Sequence, residues 1–234
     1  MSYLLHLEEV DSTNTYLKIR QGSLPHGTVV YADRQTAGRG RYSRKWISDE
    51  GGLYFSVLLK TIQDSFSPNL TQLMALSICY ALEKLGLSPA LKWPNDVQIN
   101  GQKISGILSE AVLEKNRLQA VVLGVGINLH QKNLEHVGQP ATSLQLLGVH
   151  TDRDTLLNSV LHFFWQGYPD LCEKGFESIR KDYTQRFAAL DKQVSVQHGE
   201  KTISGRVQGV SPRGALLLQT AQGLQEIYIG DLQA

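Results

Sequence analysis

The stretch TAGRGRYSRKW (36–46) gathers four cations, Arg39, Arg41, Arg44 and Lys45, with two glycines and no acid, in a chain whose net charge is only +1. Arginine supplies planar, permanently charged donors suited to phosphate. Gly38 and Gly40 would let the backbone take conformations closed to other residues, so that successive N–H groups form an anion-binding nest. Trp46 ends the stretch with a flat apolar face. The spacing is neither GxxxxGK[ST] nor GxGxxG, so the familiar nucleotide loops do not apply. A solvated basic loop accounts for the charge alone, and accounts less well for the glycines and the tryptophan.

A second group of residues lies on strands. In VVLGVGIN (121–128) one face would carry Val121, Leu123, Val125 and Ile127, suiting a core, and the other Val122, Gly124, Gly126 and Asn128. Glycine weakens a strand, so two at alternate positions suggest either a ligand lying close to the backbone or a bulge or tight bend. Lys103 and Ser105 share a face of the neighbouring apolar segment, where Gly106 is a third glycine. Upstream, LKWPND places Lys92, Trp93, Asn95 and Asp96 around a proline that prevents regular helix. A lysine beside a glycine-paved surface could hold a carboxylate or phosphate; the alternative is a lysine on an exposed strand.

Other chemistries lack their residues. There is no GxSxG, no Cys/His pairing by pattern and no recurrent carboxylate pair. The seven histidines are scattered, with no HExxH or Cys/His metal spacing. The two cysteines, Cys79 and Cys172, form no CxxC pair and read as buried free thiols. Joining two bound substrates by positioning and charge stabilisation needs no nucleophile on the protein.

The elements that must position these residues read as a mixed α and β pattern. Strands are expected at YLLHLE (3–8), TVVYADR (28–34), LYFSVLLK (53–60) and 117–130. Asp11 or Ser12 can cap a short helix through Leu17 and Ile19. Ser67-Pro68 reads as the start of a helix whose core face carries Leu70, Leu73, Met74, Ile78, Ala81, Leu82 and Leu85, with Gly86 as its stop. Asn100-Gly101 is a two-residue hairpin turn. A long helix is expected over about 152–172 and a shorter one through Ile179 and Phe187. After Asp191 short β runs alternate with the turns HGE, SPRG and AQG, which points to a small β module packed against the main domain.

A length of 234 residues with 41% hydrophobic and 19% charged residues describes an ordinary globular chain. The near-neutral charge argues against broad nucleic-acid binding. No apolar run reaches membrane-spanning length, and the first residues lack a signal-peptide pattern, so a cytoplasmic location is expected.

Four pieces, DSTN (11–14), QTAGRGRYSRKW (35–46), KWPNDVQINGQKISGIL (92–108) and GVGIN (124–128), together resemble the biotin protein ligase family, in that family's order and across essentially the whole chain. Ser43 departs from the pattern, standing where many members carry glycine. The resemblance implies an α+β fold. A mixed β-sheet with helices, like the catalytic domain of class II aminoacyl-tRNA synthetases, would span residues 1–187, and a small SH3-like β-barrel residues 188–234. It implies that biotin and ATP, with Mg²⁺, form biotinyl-5′-AMP, and that a lysine of a biotin carboxyl carrier protein then takes the biotinyl group.

The same resemblance implies the site. Ser12, Thr13, Asn14 and Gln35 would surround the biotin ureido ring. Gly38, Arg39, Gly40 and Arg41 would close over biotin and phosphate, Arg44 would hold the triphosphate, and Trp46 would cover the adenine side. Lys103 would bridge the carboxylate and the α-phosphate, beside Gly106, Gly124 and Gly126. Asn128 would meet the adenine, and Lys92 and Asp96 would complete the charge network. DSTN begins at residue 11, so the monofunctional type without a DNA-binding domain is expected, with no DNA or membrane partner; a homodimer stays open. A lipoate–protein ligase is the near alternative, against which the GRGR loop and KWPND speak. A non-catalytic biotin or nucleotide sensor is the alternative of another class.

Overall fold

A computed structural model of the chain describes residues 3–60, 69–198 and 201–233. The helix start read at Ser67-Pro68, the turn residues Gly199 and Glu200, and the side chain of Ser43 lie outside what is described.

Alternation of large apolar residues builds one seven-stranded sheet. Its strands are β1 (Leu4–Val10), β2 (Val29–Gln35), β3 (Gly52–Lys60), β4 (Pro89–Lys92), β5 (Asp96–Ile99), β6 (Gln102–Glu114) and β7 (Arg117–Asn128). The spatial order is β1-β2-β3-β7-β6-β5-β4. β1 and β2 run parallel, linked by helix α1 (Thr13–Arg20), and the other neighbours are antiparallel. β4 was not foreseen: KWP reads as punctuation, yet the chain pairs up to Lys92 before turning at the proline. Two tight turns set the register of β5–β6 and β6–β7. Asn100-Gly101 and Lys115-Asn116 all have positive φ, matching the strand twist.

The two faces of this sheet have different fates. Leu53, Phe55 and Val57 of β3 and Leu123, Val125 and Ile127 of β7 face a large apolar cluster shared with helix α2 (Asn69–Lys84) and helix α3 (Arg153–Lys174). Fully burying one such leucine or phenylalanine contributes about 1.5–3 kcal/mol. The periodic positions Leu70, Leu73, Met74, Ile78, Ala81 and Leu82 of α2 are all buried there, and α2 ends before Gly86, whose φ is +80°. Asp152 caps α3, its side chain accepting from the Thr155 N–H at 2.7 Å. On the opposite face, among the described residues, α1 is the helix that packs, through Leu17 against Leu58 and Val122. Ile19 of that helix is 73% exposed, since it lies on the side away from the sheet. Cys79 is buried as expected, whereas Cys172 is only partly so; both are free thiols.

A short helix, α4 (Arg180–Gln185), leads into a second sheet of β8 (Gln193–His198), β9 (Lys201–Val210), β10 (Leu216–Thr220), β11 (Gly223–Ile227) and β12 (Asp231–Gln233). All its pairings are antiparallel, in the order β11-β10-β9-β8-β12. Its apolar face, including Val196, Val207, Leu216 and Leu218, belongs to the same cluster as α2 and β7. The SPRG turn is the polar plug of that contact. The Gly214 carbonyl accepts from Gln72 Nε2 at 2.9 Å and from the buried Trp93 indole at 3.3 Å. Gly214 has φ +84° and no room for a Cβ beside Asn69 and Gln72, so glycine is required.

Candidate functional site

The face of the large sheet that the long helices leave uncovered bears a pocket of about 630 Å³, within the usual range for small-molecule sites. Strand pairing sets its floor. Tyr54, Gly126 and Gly106 lie side by side on β3, β7 and β6, and Ser56, Gly124 and Leu108 form the next row. The glycines make room for side chains from above. A Cβ at Gly124 would collide with Asn14, one at Gly126 with the Trp46 ring, and one at Gly106 would lie 2.9 Å from Trp46 and 3.0 Å from Lys103 Cε. Trp46 therefore lies on the glycine surface itself, its buried indole N–H without an acceptor among the described residues.

A bulge corrects the expected strand face of Lys103. β5 and β6 shift register between Val97 and Gln98, so Ile104 and Ser105 together oppose Val97. Ser105 turns to the core side, where its hydroxyl donates to the Gly126 carbonyl at 2.8 Å. Lys103 instead shares the pocket side with Gly106. It is not an exposed lysine: its side chain is 14% accessible, Nζ stands 2.8 Å from Asp96 Oδ1 and 5.2 Å from the Trp46 ring centroid. The Lys103–Asp96 pair is a charge contact rather than an aligned hydrogen bond.

The basic loop is a tight hairpin over this floor. Gly40 N–H donates to the Arg44 carbonyl at 2.7 Å and Trp46 N–H to the Gly38 carbonyl at 3.0 Å. The glycines act differently from expectation. Gly40 is extended at φ −109°, and the left-handed residue is Tyr42, at φ 53°. Gly38 does not line the pocket; it is buried where a Cβ would strike the Ser48 hydroxyl and the Trp46 carbonyl. The arginines pair with different acceptors. Arg39 Nη2 lies 3.3 Å from Glu110 Oε2 and 3.1 Å from Thr15 Oγ1. Arg41 donates to Asn95 Oδ1 (3.2 Å), Asp231 Oδ1 (3.0 Å) and the Gly230 carbonyl (3.1 Å). Arg44 pairs with the other oxygen of Asp231.

At the start of α1 the side chains form a polar cluster. Ser12 takes the N-cap position without a side-chain cap bond; Gln35 Oε1 accepts from the Thr13 N–H instead, at 2.9 Å. Ser56 Oγ donates to Asn14 Oδ1 at 2.6 Å, and Asn14 Nδ2 donates to Glu110 Oε2 at 2.7 Å. Burial works to raise the pKa of Glu110. The hydrogen bonds from Lys18 and Asn14 and the charges of Arg39 and Lys18 outweigh it, holding the carboxyl below its usual range. At the far end Asn128 donates to the Thr142 carbonyl at 2.9 Å. The pocket lining thus includes Ser12, Thr13, Asn14, Gln35, Arg39, Gly40, Arg41, Arg44, Trp46, Lys92, Asp96, Lys103, Gly106, Gly124, Gly126 and Asn128. Of the residues expected from sequence, Gly38 alone stands outside it.

Residues 7–128 match the model of the biotin/lipoate A/B protein ligase family, and residues 189–233 match the biotin protein ligase C-terminal domain. The chain belongs to the biotin protein ligase family. The bifunctional ligase/repressor BirA of Bacillus spizizenii is 34% identical to this family member over 99% of the chain and 74% of its own length. A biotin–[acetyl-CoA-carboxylase] ligase of Paracoccus denitrificans is 31% identical over 94% and 96%. Among solved structures, the biotin protein ligase of Aquifex aeolicus in complex with biotin and ATP superposes with a TM-score of 0.88. It shares 36% identity and covers 100% of this chain and 98% of its own.

Sequence reasoning about this ligase-family chain missed Ser56, Glu110 and Asp231. Ser56 had a signal, a hydroxyl in the middle of an otherwise apolar strand core, FSVLL, and so had Glu110, which strand alternation puts on the glycine side of the sheet. Asp231 had none, because its partners lie in a different sheet system.

Proposed function

We propose that this chain is an ATP-dependent biotin–protein ligase of the biotin–[acetyl-CoA-carboxylase] type, acting in the cytoplasm on a biotin carboxyl carrier protein. Among the described residues no helix is long and apolar enough to cross a membrane. The observation that carries the reading is the convergence of Lys103, the arginine loop and the polar cluster of α1 on one floor. Similarity over the full chain to a ligase solved with biotin and ATP supports it. The division into a catalytic domain, residues 1–187, and a C-terminal domain, 188–234, is part of the proposal. It is supported to within a residue by the Ala188 N–H, which donates to the Leu91 carbonyl of β4 at 2.9 Å before the chain enters the small sheet.

The roles follow from charge and geometry. Ser12, Thr13, Asn14 and Gln35 receive the ureido ring, and the carboxylate of biotin points along the floor towards Lys103. That carboxylate and the triphosphate repel each other, so Lys103, Arg39 and Arg41 hold them together and offset the charge that grows on the α-phosphoryl oxygens. A carboxylate oxygen attacks the α-phosphorus and the bond to the pyrophosphate oxygen breaks. Arg44 and Lys92 face the departing phosphates, and Asn128 presents its oxygen to the base. The loop then shields the anhydride from water. The carrier lysine, as a free amine, attacks the acyl carbon; AMP leaves and the amine loses its proton. Mg²⁺ would neutralise phosphate charge. Among the described residues no group of three or more His, Cys, Asp or Glu could hold a metal. The lining carboxylates Asp49, Asp96 and Asp231 fit a metal held mainly by phosphate oxygens with one or two protein ligands.

Biotin-dependent exchange of pyrophosphate into ATP, followed by transfer to an apo carrier domain, tests the proposal. Exchange supported by lipoate and not by biotin, or biotin binding without any transfer, would overturn it.

A further inference from the structure

Glu110 stands on the site face of β6, 19% accessible, and takes no part in the chemistry above. Its Oε2 accepts from Asn14 Nδ2 at 2.7 Å, its Oε1 from Lys18 Nζ at 2.8 Å, and Arg39 lies within 3.3 Å. We infer that Glu110 is a positioning residue that fixes which atom of Asn14 faces the acyl substrate, so that the pocket selects a ring carrying N–H donors. The inference rests on the reading of this pocket as the biotin site.

The argument is one of direction. The oxygen and nitrogen of an Asn amide are alike in size, so shape alone does not orient them. An ionised carboxylate only accepts, so Nδ2 must face Glu110. Nδ2 also reaches the Leu108 carbonyl, at 3.4 Å, which again admits only a donor. Oδ1 is then forced over Gly124, where it accepts from Ser56 and keeps a second lone pair for a ligand N–H.

The order continues away from Glu110. Ser56 has one hydroxyl hydrogen and gives it to Asn14, so at 2.7 Å its oxygen accepts from Thr13 Oγ1, and Gln35 Oε1 is held by the Thr13 N–H at 2.9 Å. Gln35 Nε2 donates to Ser48 Oγ at 2.8 Å, and Ser48 Oγ to the Trp46 carbonyl at 3.2 Å. A chain pinned by a carboxylate at one end and a backbone carbonyl at the other cannot reverse its polarity without losing a bond. A cyclic urea offers two N–H donors to such acceptors. A dithiolane ring offers none.

Calorimetric titration of the whole chain with biotin and, separately, with ATP tests this, using the parent, Glu110→Gln, and the charge-conserving pair Glu110→Gln with Asn14→Asp. Glutamine keeps the shape but can donate, which frees the Asn14 amide to turn. The single variant is expected to bind biotin about ten- to a hundredfold more weakly, with ATP affinity not reduced. The double exchange restores an acceptor over Gly124 and should recover most of the loss, which a merely structural role would not do. Biotin binding by Glu110→Gln equal to the parent's, or a double variant no tighter than the single one, would overturn the inference. If the single variant does not fold, the double one decides: biotin binding near the parent's supports the inference, and a folded protein that has lost it refutes it. A parent that itself binds no biotin overturns the pocket reading, and this inference with it.

Discussion

Asp231, on the last strand of the small sheet, holds Arg41 of the basic loop across 190 positions of sequence, Oδ1 accepting from Nη1 at 3.0 Å. Its second oxygen pairs with Arg44. A single carboxylate thus offsets two of the loop's cations, and the small sheet is joined to the rim of the site by charge as well as by its apolar face. The triphosphate of the proposed substrate would compete for the same two guanidinium groups, so the latch would be firmest before nucleotide binds.

Asp231→Asn is expected to release the loop in the ligand-free protein while leaving both sheets folded. Charged hydrogen bonds of this kind are worth about 1.5–3 kcal/mol, so trypsin cleavage within residues 39–45 should quicken by about tenfold or more. Unchanged cleavage would mean that Asn95 and Glu110 hold the loop unaided.

Lys103→Gln should slow single-turnover adenylation by about a hundredfold or more, the usual loss when a preorganised charge-stabilising donor is removed. Glutamine is preferred to alanine because Lys103 is largely buried against Asp96, and alanine would leave that carboxylate without its partner. A normal rate would discard the bridging role.

Gly124→Ala drives a methyl group into the Asn14 amide, and Gly126→Ala does the same to the Trp46 ring. Each overpacked site should cost about 1–3 kcal/mol of stability, read as a lower thermal midpoint. The two differ in function. The first should abolish biotin binding by displacing Asn14, and the second should disturb the ground beneath the loop. Full biotin affinity in Gly124→Ala would show that Asn14 is not a ligand contact.

The Glu110 cluster predicts an acid sensitivity. Its folded-state pKa is depressed below the ordinary 4.5, so the unfolded chain takes up the proton first on acidification. The stability it contributes is present in full above that ordinary value and is lost as the pH falls through the depressed one. The gap in thermal midpoint between parent and Glu110→Gln should therefore be open near neutral pH and narrow under acid conditions. A gap that stays constant down to about pH 3 would count against the charged clamp.

Local order was legible without coordinates. The apolar alternation of VVLGVGIN assigned the core and site faces of β7, the helical spacing of Leu70 to Leu82 placed α2 against the core, and Asn100-Gly101 fixed a hairpin. These readings succeed because side-chain direction along a strand or helix is a property of the chain itself. The same periodicity failed at Ser105, since the bulge at Ile104 resets the alternation and a bulge is chosen by the neighbouring strand.

The site divided along the same line. Its chemistry, arginines, a lysine, small polar groups and glycines, was written in residue types, and motif order pointed to the family. What the glycines accommodate was not: Trp46 and Asn14 occupy the surface over Gly106, Gly124 and Gly126, and Gly38 yields to Ser48 rather than to a ligand. Glu110 and Asp231 became part of the site only once strand order brought β6 under the loop and the small sheet to its rim. Sequence determined which groups could act. Folding decided which groups face one another, because pairing across a sheet and docking between sheets join residues that no local pattern connects.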